Sequence, residues 1–95
     1  MRKVEREIKE IIFHHIDPEK YKIFIFGSRV SGKSGKYSDY DIGILGKHSL
    51  SLSTIGFIKE EMDESNIPFQ VDIVDFTTVS SNFKKIALSK IRELK

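Results

Sequence analysis

Asp39 and Asp41 stand two residues apart at the start of an apolar run, Tyr40-Asp41-Ile42-Gly43-Ile44-Leu45. In an extended strand, alternate residues share a face, so both carboxylates point the same way. Two like charges on one face repel unless a cation lies between them. Hard oxygen donors of this kind suit Mg²⁺, which takes one or two carboxylates together with phosphate oxygens. Upstream, Gly27-Ser28 closes another apolar run, Tyr21-Lys22-Ile23-Phe24-Ile25-Phe26. A glycine and a hydroxyl at a strand end offer backbone N–H groups and an O–H to phosphate. Downstream, Asp72 interrupts Val71-Asp72-Ile73-Val74. An apolar strand carries such a charge cheaply only if it is paired or metal-bound. Asp75 falls on the other face of that strand. Asp39, Asp41 and Asp72 are therefore the candidate metal ligands, and three carboxylates around two ions is an arrangement that serves in-line phosphoryl transfer. Taken singly, each piece has a plainer reading: Asp-x-Asp is commonly a turn, and a lone strand Asp commonly faces water. The combination carries the argument.

The elements that must position these residues follow from periodicity. Val4, Ile8, Ile11, Ile12 and Ile16 recur at helical spacing over residues 2–16, with Glu5–Lys9 and Arg6–Glu10 as opposite-charge pairs on an exposed outer face. Asp17-Pro18 ends that helix. Residues 21–26, 40–45 and 69–74 are β-branched or aromatic runs and are expected as strands. A helix is expected over 51–64 with Leu52, Ile55, Ile58 and Met62 as its stripe, and a last one over 80–94 lined by Phe83, Ile86, Ala87 and Ile91, capped by Ser80 or Ser81. Residues 27–38 hold three glycines and four serines, which makes a loop opening on a short helix. That loop is too short for a crossover helix, so the first two strands are expected to be antiparallel, while the second and third, joined by a helix, are expected to be parallel. The expectation is an α+β domain with a three-stranded mixed sheet flanked by helices.

The chain has 95 residues, 39% hydrophobic and 32% charged, with a formal net charge of +2 and no cysteine. That length suits one domain over residues 1–95. The absence of cysteine excludes disulfides and thiolate zinc sites. A near-balanced charge gives no case for direct nucleic-acid binding, although Lys84, Lys85, Lys90, Arg92 and Lys95 make the last segment basic. No apolar run is long enough to span a membrane, and Met1-Arg2-Lys3-Val4-Glu5 opens a charged helix rather than a leader. The cytoplasm is the default compartment.

Gly27-Ser28, ten further residues, then Asp39-Tyr40-Asp41 resembles the signature of the minimal nucleotidyltransferases, the MNT proteins of the DNA polymerase β superfamily, and Val71-Asp72-Ile73 resembles their third-carboxylate strand. The resemblance covers about residues 20–91. It implies a nucleotidyltransferase fold and Mg²⁺-dependent transfer of a nucleoside monophosphate, AMP from ATP, to an acceptor hydroxyl, with two ions. It implies that Gly27, Ser28 and Arg29 bind the triphosphate, that Asp39, Asp41 and Asp72 bind metal, and that Asp72 activates the acceptor. Small members lacking an acceptor domain are similar to the antitoxin halves of HEPN–MNT pairs, which implies a helical HEPN partner in a hetero-oligomer. A non-catalytic antitoxin that masks such a partner is the alternative. A remote alternative is a P-loop NTPase, since Gly27-Ser28-Arg29-Val30-Ser31-Gly32-Lys33-Ser34 also satisfies G-x-x-x-x-G-K-[ST]. Against it, Gly35 and the Asp39–Asp41 turn arrive where a P-loop needs a long helix.

Overall fold

Alternation along the strands produces two unlike sheet faces, and these decide the architecture. The computed structural model describes residues 2–32 and 39–94. Its elements run α1 (Lys3–Phe13), β1 (Tyr21–Phe26), α2 (Ser28–Ser31), β2 (Tyr40–Gly46), α3 (Leu52–Glu64), β3 (Val71–Asp75), α4 (Ser81–Leu88) and β4 (Arg92–Glu93). The sheet order is β3-β2-β1-β4. β1 and β2 are antiparallel, and β2 and β3 are parallel.

One face carries Ile23, Ile25, Tyr40, Ile42 and Ile44, packed against Ile8, Ile11 and Ile12 of α1 and Ile58 and Met62 of α3. With Leu94, eleven buried residues form this core. At about 1.5–3 kcal/mol for each fully buried aliphatic side chain, this face dominates the stability of the fold. On the other face the buried residues among those described are Phe24, Phe26 and Phe76, covered in part by Ala87 and Leu88 of α4. Gly43 is required there, because a Cβ would run into the rings of Phe24 and Phe76.

The sheet has four strands, not three. The expected helix over 80–94 stops at Leu88, and the chain returns as β4, antiparallel to β1 through Phe24↔Glu93 and Ile25↔Arg92. The reason is a long-range ion pair invisible to local periodicity. Arg92 grips Glu5 of α1 through two hydrogen bonds of 2.6 and 2.9 Å, and Leu94 N–H donates to the Ile23 carbonyl at 2.9 Å. Glu5 is therefore not on an outer face paired with Lys9; it is 1% exposed. Leu52 is 89% exposed and does not belong to the stripe of α3, where Ile58 and Met62 are buried. Ser51 caps that helix, accepting from Thr54 N–H at 3.1 Å, and Ser80 caps α4, accepting from Phe83 N–H at 3.2 Å. His14 and His15 each contact one oxygen of Glu61 at 2.8 Å, which ties α1 to α3. The Ile86 side chain, and Lys33, Ser34 and Tyr37, lie outside the described residues.

Candidate nucleotide site

Gly27 sits where β1 gives way to α2, with φ 77° and ψ −149°. This backbone region is essentially confined to glycine. A second constraint acts at the same place: a Cβ on Gly27 would collide with Oδ2 of Asp41. The backbone at Gly27 and the Asp41 carboxylate are thus in direct apposition. The register explains it, because Asp41 is the β2 partner of Phe26 and Gly27 follows Phe26 immediately.

On its other side Asp41 is in register with Asp72 of β3. Aligned residues of parallel neighbours point to the same face, so the two carboxylates stand side by side, on the face bearing Phe24 and Phe26. Asp41 is half-buried, and its carboxyl titrates above the ordinary 3.8, first because of burial and then because of the charges of Asp72 and Asp39. Like charges gathered around a half-buried carboxyl mark a place where positive charge is wanted. Asp39 and Asp72 are exposed. For Asp72 this corrects the desolvation argument made from sequence: it lies on the edge strand, open to water, and its significance comes from its register with Asp41. Among the described residues no three His, Cys, Asp or Glu side chains close into a metal cage by themselves. The donor set, with the glycine cradle against Asp41, fits an Mg²⁺ ion whose remaining ligands come from phosphate and water.

Asp75 is 8% exposed, on the opposite face. Its oxygens accept from Leu50 N–H at 2.8 Å and Thr77 N–H at 2.9 Å, so it fastens the loops beyond β2 and β3 and takes no part in the site. Tyr40, between the two acidic residues in sequence, is 1% exposed and packs in the core. Its hydroxyl donates to Glu5 at 3.4 Å. The Arg29 guanidinium lies 3.8 Å from the centre of the Tyr40 ring and 4.8 Å from that of Phe69, and its Nε–H donates to the Asp39 carbonyl at 3.3 Å. Arg29 thereby braces Asp39. Sequence reasoning missed this brace and the Glu5 pair behind it. The alternation that aims Asp39 and Asp41 one way should have sent Tyr40 the other way, into the core.

The antiparallel joining of β1 to β2 leaves no parallel crossover after Gly27, as a P-loop requires. Instead, the family described as polymerase beta, nucleotidyltransferase, matches residues 6–94. The chain belongs to this polymerase beta nucleotidyltransferase family. A relative from Haemophilus influenzae, named probable protein adenylyltransferase MntA, is 38% identical over 82 residues, which is 86% of this chain and 71% of that one. Among solved structures, a toxin–antitoxin crystal structure with AMP-PNP matches with a TM-score of 0.76 at 23% identity, over 96% of this chain and 72% of that one. A complex of a tri-AMPylated HEPN toxin with an MNT antitoxin from Shewanella oneidensis matches with a TM-score of 0.70 at 22% identity, over 97% and 69%. These structures share the nucleotidyltransferase fold. Among the described residues no helix is long and apolar enough to cross a membrane.

Proposed function

We propose that this chain is the Mg²⁺-dependent catalytic subunit of a two-component system and transfers AMP from ATP to a hydroxyl of a HEPN-type partner in the cytoplasm. The observation that carries the reading is the apposition of Gly27 to the Asp41 carboxylate, with Asp72 in register beside it. The 38% identical relative named a protein adenylyltransferase supports the choice of AMP and of a protein acceptor, and the HEPN toxin in the Shewanella complex supports the choice of partner. On this reading Gly27 N–H and the Ser28 hydroxyl bind triphosphate oxygens. Arg29 adds positive charge at the loop end and holds Asp39 in place. Asp39, Asp41 and Asp72 would hold Mg²⁺, which when bound would supply positive charge to the phosphates and to the departing pyrophosphate.

The acceptor oxygen forms a bond to the α-phosphorus as the bond from that phosphorus to the bridging oxygen of the β-phosphate breaks. Pyrophosphate leaves with that electron pair. The hydroxyl proton passes to Asp72, which lies exposed on the edge strand β3. Catalysis here is mostly positioning and charge stabilisation.

The test is a transfer assay with ATP labelled separately at the α and γ phosphates, with Mg²⁺ and host lysate. Movement of α-label onto a macromolecule with pyrophosphate release is expected, and Asp39→Asn with Asp41→Asn should abolish it while leaving the fold intact. Transfer that survives in the double variant overturns the assignment. Protection of cells from the partner that survives in it shows neutralisation by complex formation instead.

A further inference from the structure

We propose that Phe83 is the platform on which the nucleobase of the bound triphosphate stacks. This rests on the nucleotide reading of the acidic site and adds where the base lies. Phe83 is a large aromatic residue left 45% exposed. Its ring is nevertheless held firmly from beneath. It meets Phe26 edge-on at 6.4 Å and 89°, and lies tilted on Phe76 at 5.7 Å and 40°. Phe26 and Phe76 are buried and themselves meet edge-on at 5.0 Å. The Ser80 cap fixes the first turn of α4, which presents the ring.

Position makes this ring a ligand surface. Phe26 is the residue immediately before Gly27, and Asp41 is its β2 partner. Phe83 therefore stands on the same sheet face as Asp41 and Asp72, beside the end of β1 where the phosphates are received. The opposite face is filled by α1 and α3 over the larger core. The other large apolar residues left exposed among the described ones are Leu52 and Phe57, which belong to α3 on that opposite face, and Ile91, an aliphatic residue just before β4 that offers no ring. Among the described residues, Phe83 is the exposed aromatic ring on the sheet face that carries Asp41 and Asp72. A rigid ring with a free face is what stacks on a purine, and such stacking is tolerant of base identity.

Binding of AMP-PNP and of inorganic tripolyphosphate, each with Mg²⁺, separates the base from the phosphates. Phe83→Leu keeps apolar bulk against Phe26 and Phe76 but removes the aromatic face. It should weaken AMP-PNP binding about tenfold and leave tripolyphosphate binding unchanged. The chain contains no tryptophan, so Phe83→Trp places a single reporter at the site. Its fluorescence should be quenched by AMP-PNP and not by tripolyphosphate. Unaltered AMP-PNP affinity in Phe83→Leu overturns the proposal, and so does an equal loss for both ligands, which would make the ring a structural support only. Failure of the unaltered chain to bind either ligand overturns the nucleotide reading itself, and the base platform with it.

Discussion

Removing Arg92 should convert the buried Glu5 carboxylate from a fastener into a liability. Glu5 is 1% exposed and accepts two hydrogen bonds from Arg92 and one, at 3.4 Å, from Tyr40. Breaking a buried pair from one side costs about 3–5 kcal/mol, because the remaining charge stays desolvated. The Arg92 side chain is 49% exposed, so water enters where it is removed, and the lower end applies, about 3 kcal/mol for Arg92→Met. In a domain of this size that is a fall in Tm of about 12–24 °C. Removing both charges in Glu5→Leu with Arg92→Met should recover most of the loss, since an apolar replacement of a buried pair is often neutral.

The pH profile gives an independent check. Arg92 hydrogen bonds hold the Glu5 carboxyl below its ordinary 4.5, against the opposing effect of burial, with the charges of Arg92 and Arg2 assisting. The native state then binds fewer protons than the unfolded state between the two pKa values. The contribution of the pair is therefore fully present above about pH 4.5 and is lost as pH falls through the folded value. In Arg92→Met the largest opponent of burial is gone, the Arg2 charge and the Tyr40 hydrogen bond alone remain against it, and the folded pKa is expected to rise above the unfolded one. The sign reverses, and the variant recovers stability on mild acidification as Glu5 takes up a proton. Urea unfolding followed by circular dichroism from about pH 2 to about pH 8 reads both effects. A loss below about 1 kcal/mol, the size of an exposed pair, or an unchanged acid slope would refute the reasoning.

Asp72→Asn should abolish nucleotidyl transfer with little change in Tm, whereas Asp75→Asn should cost about 1–3 kcal/mol by weakening a buried acceptor and leave turnover of the folded fraction intact; transfer assays and thermal melts on both variants check the contrast. Gly27→Ala should lose at least tenfold in transfer and about 1–3 kcal/mol in stability, since it meets both a positive φ and the Asp41 carboxylate. Gly43→Ala should cost about 1–3 kcal/mol by overpacking the Phe24 and Phe76 rings, read by urea midpoint. Arg29→Met should lower kcat more than it raises KM for ATP, because it releases the Asp39 carbonyl and the Tyr40 ring, and Arg29→Lys should restore charge but not the fork that spans them.

The acidic face was legible in the sequence because it depends on short-range rules. Asp-x-Asp in a strand needs only the period of two, and the antiparallel and parallel pairings followed from the lengths of the connections. What was not legible depends on partners far apart in the chain. Residues 89–94 carry apolar and basic types compatible with continuing a helix, and the reason they do not is Glu5, 87 positions away from Arg92. The same distance hid the role of Glu5, whose neighbours at helical spacing suggested a solvent-facing pair. Spacing alone places Leu52 in the stripe of α3, yet among the described residues nothing packs over the first turn of that helix deeply enough to bury it. Asp72 is exposed rather than buried, and it owes its place in the site to its register with Asp41.

The division between the two faces connects these observations. The core of isoleucines, the Glu5–Arg92 pair and the two histidines on Glu61 all lie on the α1 and α3 side. The other side, with three buried phenylalanines, carries Asp41 and Asp72, two carboxylates that repel each other. Such a cluster costs folding free energy whenever it is charged and unpaired, and the larger core supplies the stability that lets it persist. Asp41→Asn should therefore raise the Tm of the chain without Mg²⁺ while removing transfer, and Mg²⁺ with AMP-PNP should raise the Tm of the unaltered chain more than that of the variant. If Asp41→Asn instead lowers the Tm, the carboxylate is a structural acceptor rather than a charge held in readiness, and the apposition to Gly27 loses its chemical meaning.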